Sequence, residues 1–127
     1  EGTRFSERKR QRLIDRWTEQ SDPRVEMATR FTHVLPPKTK GFWAIRQGSP
    51  SADVVFCAHA GLERVTNIQT LLSAATHGIT VQVRFWRVHH TEVPEQESEQ
   101  TEWLYQQWAF MNQEVGRLKD TNSARPL

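Results

Sequence analysis

Residues 79 to 86 alternate with a period of two, Ile79, Val81, Val83 and Phe85 forming one set and Thr80, Gln82, Arg84 and Trp86 the other. Successive side chains of a β-strand point to opposite faces, so this pattern predicts a half-buried strand with the odd-numbered apolar set as one face. A second strand is expected from Asp53 to His59, where Val54-Val55-Phe56-Cys57-Ala58 is a continuous apolar run of strand length and reads as buried. Around these lie helical patterns. From Ser6 to about Thr18 the chain lacks Gly and Pro and places Leu13, Ile14 and Trp17 on one face, with Ser6 as N-cap. Residues 42 to 46 predict a short helix ending near Gly48, and residues 61 to 76 carry Leu62, Val65, Ile68, Leu71 and Leu72 at helical spacing. A last helix is expected from about Pro94, which suits a first turn, with Glu95, Glu97 and Glu99 at the positive end of its dipole. Its stripe is Leu104, Trp108, Met111, Val115 and Leu118. Strands separated by helices predict an α/β fold.

A chain of 127 residues, 36% hydrophobic and with five tryptophans, has material for one domain with a core of its own. No stretch approaches the roughly 18 to 20 consecutive apolar residues of a membrane-spanning helix. The single cysteine, Cys57, has no partner for an internal disulfide and, within its apolar run, reads as a small buried hydrophobe. Charge is unevenly spread. Arg4, Arg8, Lys9, Arg10, Arg12 and Arg16 face only Glu7 and Asp15 in the first helix, whereas residues 92 to 102 hold five glutamates and no Lys or Arg. The basic run suits an anionic partner, phosphate headgroups or nucleic acid; its plain reading is a solvated helix face.

Two short blocks stand out: Glu1-Gly2-Thr3-Arg4 before the basic helix, and Val34-Leu35-Pro36-Pro37-Lys38-Thr39-Lys40-Gly41-Phe42. They resemble the third and fourth sequence blocks of the glycerolipid acyltransferases, the family of 1-acylglycerol-3-phosphate and lysocardiolipin acyltransferases. The resemblance continues through Ala52-Asp53-Val54-Val55, the strand ending in Trp86-Arg87, Glu92-Val93-Pro94 and Trp103-Leu104. It implies the C-terminal part of such a domain, residues 1 to 119 with a flexible tail over 120 to 127, built as a partial mixed sheet flanked by helices. In this family a His followed five positions later by Asp performs the chemistry upstream of the Glu-Gly-Thr-Arg block. Here the residues five after His33, His59, His77, His89 and His90 are Lys38, Arg64, Gln82, Pro94 and Glu95, so no catalytic residue is expected within these 127 residues and the fragment alone is expected to be inactive.

The resemblance further implies that Arg4 holds the acceptor's phosphate, that Glu1, Gly2 and Thr3 shape the pocket, and that Pro36 supports the substrate site. The chemistry of those residue types agrees: glycine admits close backbone approach, and arginine offers a planar fork that matches phosphate. The segment departs from the family's apolar-Pro-Val form at Pro37. Partners implied are a lysophospholipid acceptor, acyl-CoA or acyl carrier protein as donor, and an anionic membrane surface on the cytoplasmic side, with no prosthetic group and no nucleic acid. A competing reading, a basic α/β module that grips nucleic acid through residues 4 to 16, accounts for the charge alone. Lys38 and Lys40 read as loop lysines, His33, His59 and His77 as structural, and Trp17 and Trp43 as candidates for lipid contact. His89-His90 carry no metal in this reading, since adjacent residues on an extended chain point to opposite faces.

Overall fold

A computed structural model describes residues 5–62, 69, 72 and 80–123. Within them the chain is mixed α/β: four helices, a 3-10 turn and a two-stranded antiparallel sheet. Helix α1 spans Glu7–Glu19, and the hydroxyl of Ser6 accepts from Lys9 N at 3.3 Å, the N-cap its sequence promises. Asp22-Pro23 then starts helix α2, Arg24–Arg30, with the Asp22 carboxylate accepting from Arg24 N at 2.9 Å. Arg10 clasps the two helices. Its Nε donates to the Phe31 carbonyl at 2.6 Å and its Nη2 to that of Thr29 at 2.8 Å, while Glu7 pairs with Nη1 at 2.7 Å. One of the six basic residues is therefore structural. Trp17 is 7% exposed with the Arg24 guanidinium 4.4 Å above its ring, so of its two readings, core packing and lipid contact, the structure supports the first.

Pro36 and Pro37 are both buried, and helix α3 follows at Thr39–Gly48. Strand β1 spans Val54–Ala60 and strand β2 spans Gln82–Val88, paired antiparallel with Phe56 opposite Trp86 and Cys57 opposite Phe85. The described sheet is thus an antiparallel pair and not the mixed sheet expected. After β2 the chain makes a 3-10 turn at His90–Glu92, and helix α4 runs through Glu97–Ser123. Pro94 lies before this helix, not in its first turn; its carbonyl accepts from Gln100 Nε2 at 2.6 Å. The expected tail begins inside α4, which continues past Asp120 to Ser123. Most of the helical pattern at 61–76 falls outside the described residues.

Helix α4 packs on one face of the sheet. The core gathers Phe31, Val34, Phe56, Ala58, Leu104, Tyr105, Met111 and Val115, with Trp86, Trp103 and Trp108 around Phe56 at ring separations of 5.2, 5.8 and 6.4 Å. These edge and offset contacts favour the aromatic quadrupoles. The indoles keep their polar ends satisfied: Trp86 Nε1 donates to Gln107 at 3.2 Å and Trp108 Nε1 to the Leu35 carbonyl at 2.7 Å.

The alternation of β2 is real, but its faces are the reverse of the expected ones. Trp86 and Val88 lie on the side of α4, with Arg84 joining Glu114 at 2.9 Å, while Val83 and Phe85 are 46% and 65% exposed. Strand β1 likewise alternates: Phe56, Ala58 and Ala60 are buried, Val55 is 61% exposed, and Cys57 is exposed. The continuous apolar run misled because it is apolar on both faces, and among the described residues only one face is covered.

Candidate functional site

The first block of the resemblance, Glu1 to Arg4, lies outside the described residues. Phe5, the residue that follows it, lines a cleft of about 240 Å³ together with Val34, Trp108, Met111 and Val115, and with Cys57 and His59 from β1. Val34 belongs to the second block, two positions before Pro36. The cleft is floored by helix α4, whose stripe at 108, 111 and 115 turns one face toward it for the reason the sequence gives, a spacing of three and four. Pro36 itself is buried and is not in the lining. The Trp108 indole, bonded to the Leu35 carbonyl, fixes the block against α4. Two prolines keep this backbone extended and out of a regular hydrogen-bonded ladder, and a side-chain donor from another element, the Trp108 indole, bonds to it there.

Cationic and imidazole groups share the cleft with this apolar wall. Lys119 lies on it with Nζ 5.5 Å above the Phe5 ring, and His33 and His59 are among its lining residues. No carboxylate is among its described lining residues. His33 is held by its backbone N–H, which donates to Asn112 Oδ1 at 2.8 Å, and its ring rests over Gly116. A Cβ at position 116 would stand 2.9 Å from the ring, so glycine here admits the close approach of His33 to the helix. Burial lowers the pKa of His33 below 6.5, and Lys119 pushes it further in the same direction against a smaller opposing effect of Asp120. With His33 favoured in its neutral form, the cleft combines an apolar wall of Val34, Met111 and Val115 with Lys119 at one side.

At the opposite end of the sheet, Asp53 latches the start of β1 to the end of β2. Its Oδ1 accepts from the His90 backbone N–H at 2.7 Å and faces His90 Nδ1 at 3.1 Å, while its Oδ2 takes Arg87 Nε at 2.7 Å. The His90 backbone bond, the His90 ring and Arg87 together bring the Asp53 pKa down to about 2 against the effect of desolvation. The two imidazoles do not point apart as an extended chain would place them. The 3-10 turn at His90 brings the rings to 4.2 Å, and ligand atoms of Asp53, His89 and His90 all lie within 4.8 Å of one another. A divalent cation could use such a set, but it would have to displace a backbone donor and settle beside the Arg87 guanidinium, so the geometry favours the latch.

Pro36, singled out by the resemblance, is buried and not in the lining, and nothing local in the sequence marked His33, Trp108 and Lys119 as lining the cleft. The first two are held there by hydrogen bonds spanning 79 and 73 positions, and such pairings leave no local periodicity to read. Lys38 and Lys40 stay away from it; Lys40 is exposed. No helix among the described residues is long and apolar enough to cross a membrane. No protein-family model, curated protein or solved structure matches the chain.

Proposed function

We propose that this chain is the acceptor-binding, C-terminal part of a glycerolipid acyltransferase, which transfers an acyl group from acyl-CoA or acyl carrier protein to a lysophospholipid such as 1-acylglycerol-3-phosphate. One observation supports the reading: Phe5, which directly follows the first block, and Val34 of the second, about thirty residues on, line one cleft together with the apolar stripe of α4 and Lys119. An amphiphile with an acyl chain and an anionic head has this same division. Apolar surface removed from water there is worth roughly 25 cal/mol per Å², and the phosphate gains a charge-assisted contact.

In this proposal Arg4 holds the acceptor phosphate and Glu1, Gly2 and Thr3 shape the pocket, the roles that the resemblance implies. Trp108, Met111 and Val34 take the acyl chain. Pro36 keeps its wall rigid, which lowers the entropy lost when the acceptor is ordered. The chemical step belongs to a His and Asp outside these residues: the His as general base takes the proton of the acceptor hydroxyl as its oxygen attacks the thioester carbonyl, and the thiol departs. The basic face of α1, with exposed Arg8, Lys9, Arg12 and Arg16, lies against an anionic membrane surface.

The test is an acyl-transfer assay on this chain and on a longer product of the same reading frame that includes the preceding residues. The 127 residues alone are inactive, the longer chain is active, and Arg4→Ala raises KM for the lysophospholipid about tenfold or more while sparing KM for the acyl donor. A longer chain without a His-x-x-x-x-Asp block and without transfer activity would overturn the proposal.

A further inference from the structure

A second cleft, of about 360 Å³, opens between the end of α3 and the start of α4, with Trp43, Arg46, His90, Thr91 and Gln100 in its lining. Two polar groups in it are almost completely buried and incompletely paired. Arg46 is 8% exposed; its Nη1 donates to the Ala52 carbonyl at 2.8 Å and more weakly to that of Ser49 at 3.4 Å, and its Nε has no partner among the described residues. Gln100 is 4% exposed; its Nε2 donates to the Pro94 carbonyl, and its Oε1 has no partner among the described residues. Among the described residues no carboxylate pairs with Arg46.

Buried charges are nearly always compensated, and buried polar atoms nearly always bonded. The last turn of α3 offsets part of the Arg46 charge through its carbonyl dipoles, but dipoles supply no acceptor to Nε. Two residues that line one cleft each hold an orphaned buried atom, a cationic donor in Arg46 and a neutral acceptor in Gln100, and a ligand that enters between them can meet both. Glu95, the one carboxylate in the lining, is exposed and screened by solvent.

We infer that this cleft binds a small oxyanion that also carries a hydroxyl: the oxyanion accepts from Arg46 and the hydroxyl donates to Gln100 Oε1. The face of Trp43 and the His90 ring enclose the carbon skeleton between them. This inference is independent of the acyl-transfer reading, because it uses other residues on another wall of α4 and concerns a free small molecule, not a lipid.

Nitrogen-15 spectra of the 127-residue chain, which resolve the Arg46 Nε–H and the Trp43 indole, would be recorded on titration with inorganic phosphate, glycerol 3-phosphate, acetate and lactate. Saturable shifts of both resonances are expected, with each hydroxylated anion binding about three- to tenfold tighter than its plain counterpart. Whichever of the two hydroxylated anions binds tighter identifies the oxyanion class. Arg46→Gln lowers all affinities about tenfold or more, and Gln100→Leu removes only the preference for the hydroxyl. Should Arg46→Gln lose its cooperative melt, the Gln100→Leu comparison decides alone. Absence of saturable shifts in the unaltered chain, binding undiminished in a folded Arg46→Gln variant, or a hydroxyl preference retained in Gln100→Leu would each overturn the inference.

Discussion

Helix α4 borders two clefts of opposite character. Toward its C-terminal half, Trp108, Met111 and Val115 line an apolar cleft in which the polar groups are anchored: His33 through Asn112, and Trp108 through the Leu35 carbonyl. Near its N-terminal end, Gln100 lines a second cleft together with Arg46, and among the described residues each keeps an unpaired buried atom. The first is continuous with the hydrophobic core, so its walls hold the fold together. The second carries an electrostatic cost that folding leaves unmet, and a ligand can relieve it. A residue's contribution to stability and its contribution to binding should therefore separate differently in the two places.

The largest effect is expected where cleft and core coincide. Met111 is 6% exposed, and Met111→Ala should cost about 2 to 5 kcal/mol in chemical denaturation, the range for truncating a buried large side chain. Gly116→Ala comes next. Helix propensity alone would reward it by about 1 kcal/mol, yet the new Cβ meets the His33 ring at 2.9 Å, and overpacking of this kind costs about 1 to 3 kcal/mol. A net loss of stability with a displaced His33 resonance is the expected outcome, and a gain would show that the ring moves freely. In the polar cleft Arg46→Met should change stability by less than about 1.5 kcal/mol in either direction. Two bonds to carbonyls are lost while an unpaired buried charge is removed. A loss comparable with that of Met111→Ala would erase the contrast between the clefts.

The smallest effects concern pH. His33 has its pKa lowered by burial, so the unfolded chain takes up a proton before the folded one does; the contribution to stability is whole above pH 6.5 and declines as pH falls below it toward the folded value. His33→Gln should flatten that part of the stability profile. Asp53, with a folded pKa of about 2, contributes above the ordinary carboxylate value and loses that contribution as pH falls from about 4 through 2. Asp53→Asn should shrink this acid limb to the share of Asp22, whose hydrogen bonds with Arg24 likewise hold its pKa at about 2, and leave the neutral-pH profile of His33 unaltered. Urea denaturation across pH 2 to 8 distinguishes the two.

Local pattern carried much of the fold to the surface of the sequence. The Ser6 cap, the Gly-free basic segment and the heptad-like stripe of α4 each announce a helix within a few residues of its true bounds, because their signals are set by neighbours in the chain. The β2 alternation located its strand but not its orientation. Trp86, grouped with polar residues by its parity, is large enough to decide which face packs on Phe56, and it outweighs Val83 and Phe85. Site residues were legible in proportion to their locality. Pro36 announced a rigid wall, whereas the roles of His33, Arg46 and Gln100 depend on partners brought in by the tertiary fold. The Asp53 latch was hidden in the same way, since its pairing with Arg87 and His90 spans the whole β1 to β2 connection.

The central claim, that the cleft joining Phe5, Val34 and helix α4 receives a lysophospholipid, is tested most directly by titrating the chain with a short-chain lysophosphatidate below its critical micelle concentration. The Met111 methyl and Trp108 indole resonances would be followed together. The account predicts a saturable shift of both, weakened by Lys119→Gln and absent with duplex RNA. Unmoved cleft resonances, with RNA instead shifting the α1 arginines in a steeply salt-dependent way, would contradict it and favour the nucleic-acid reading.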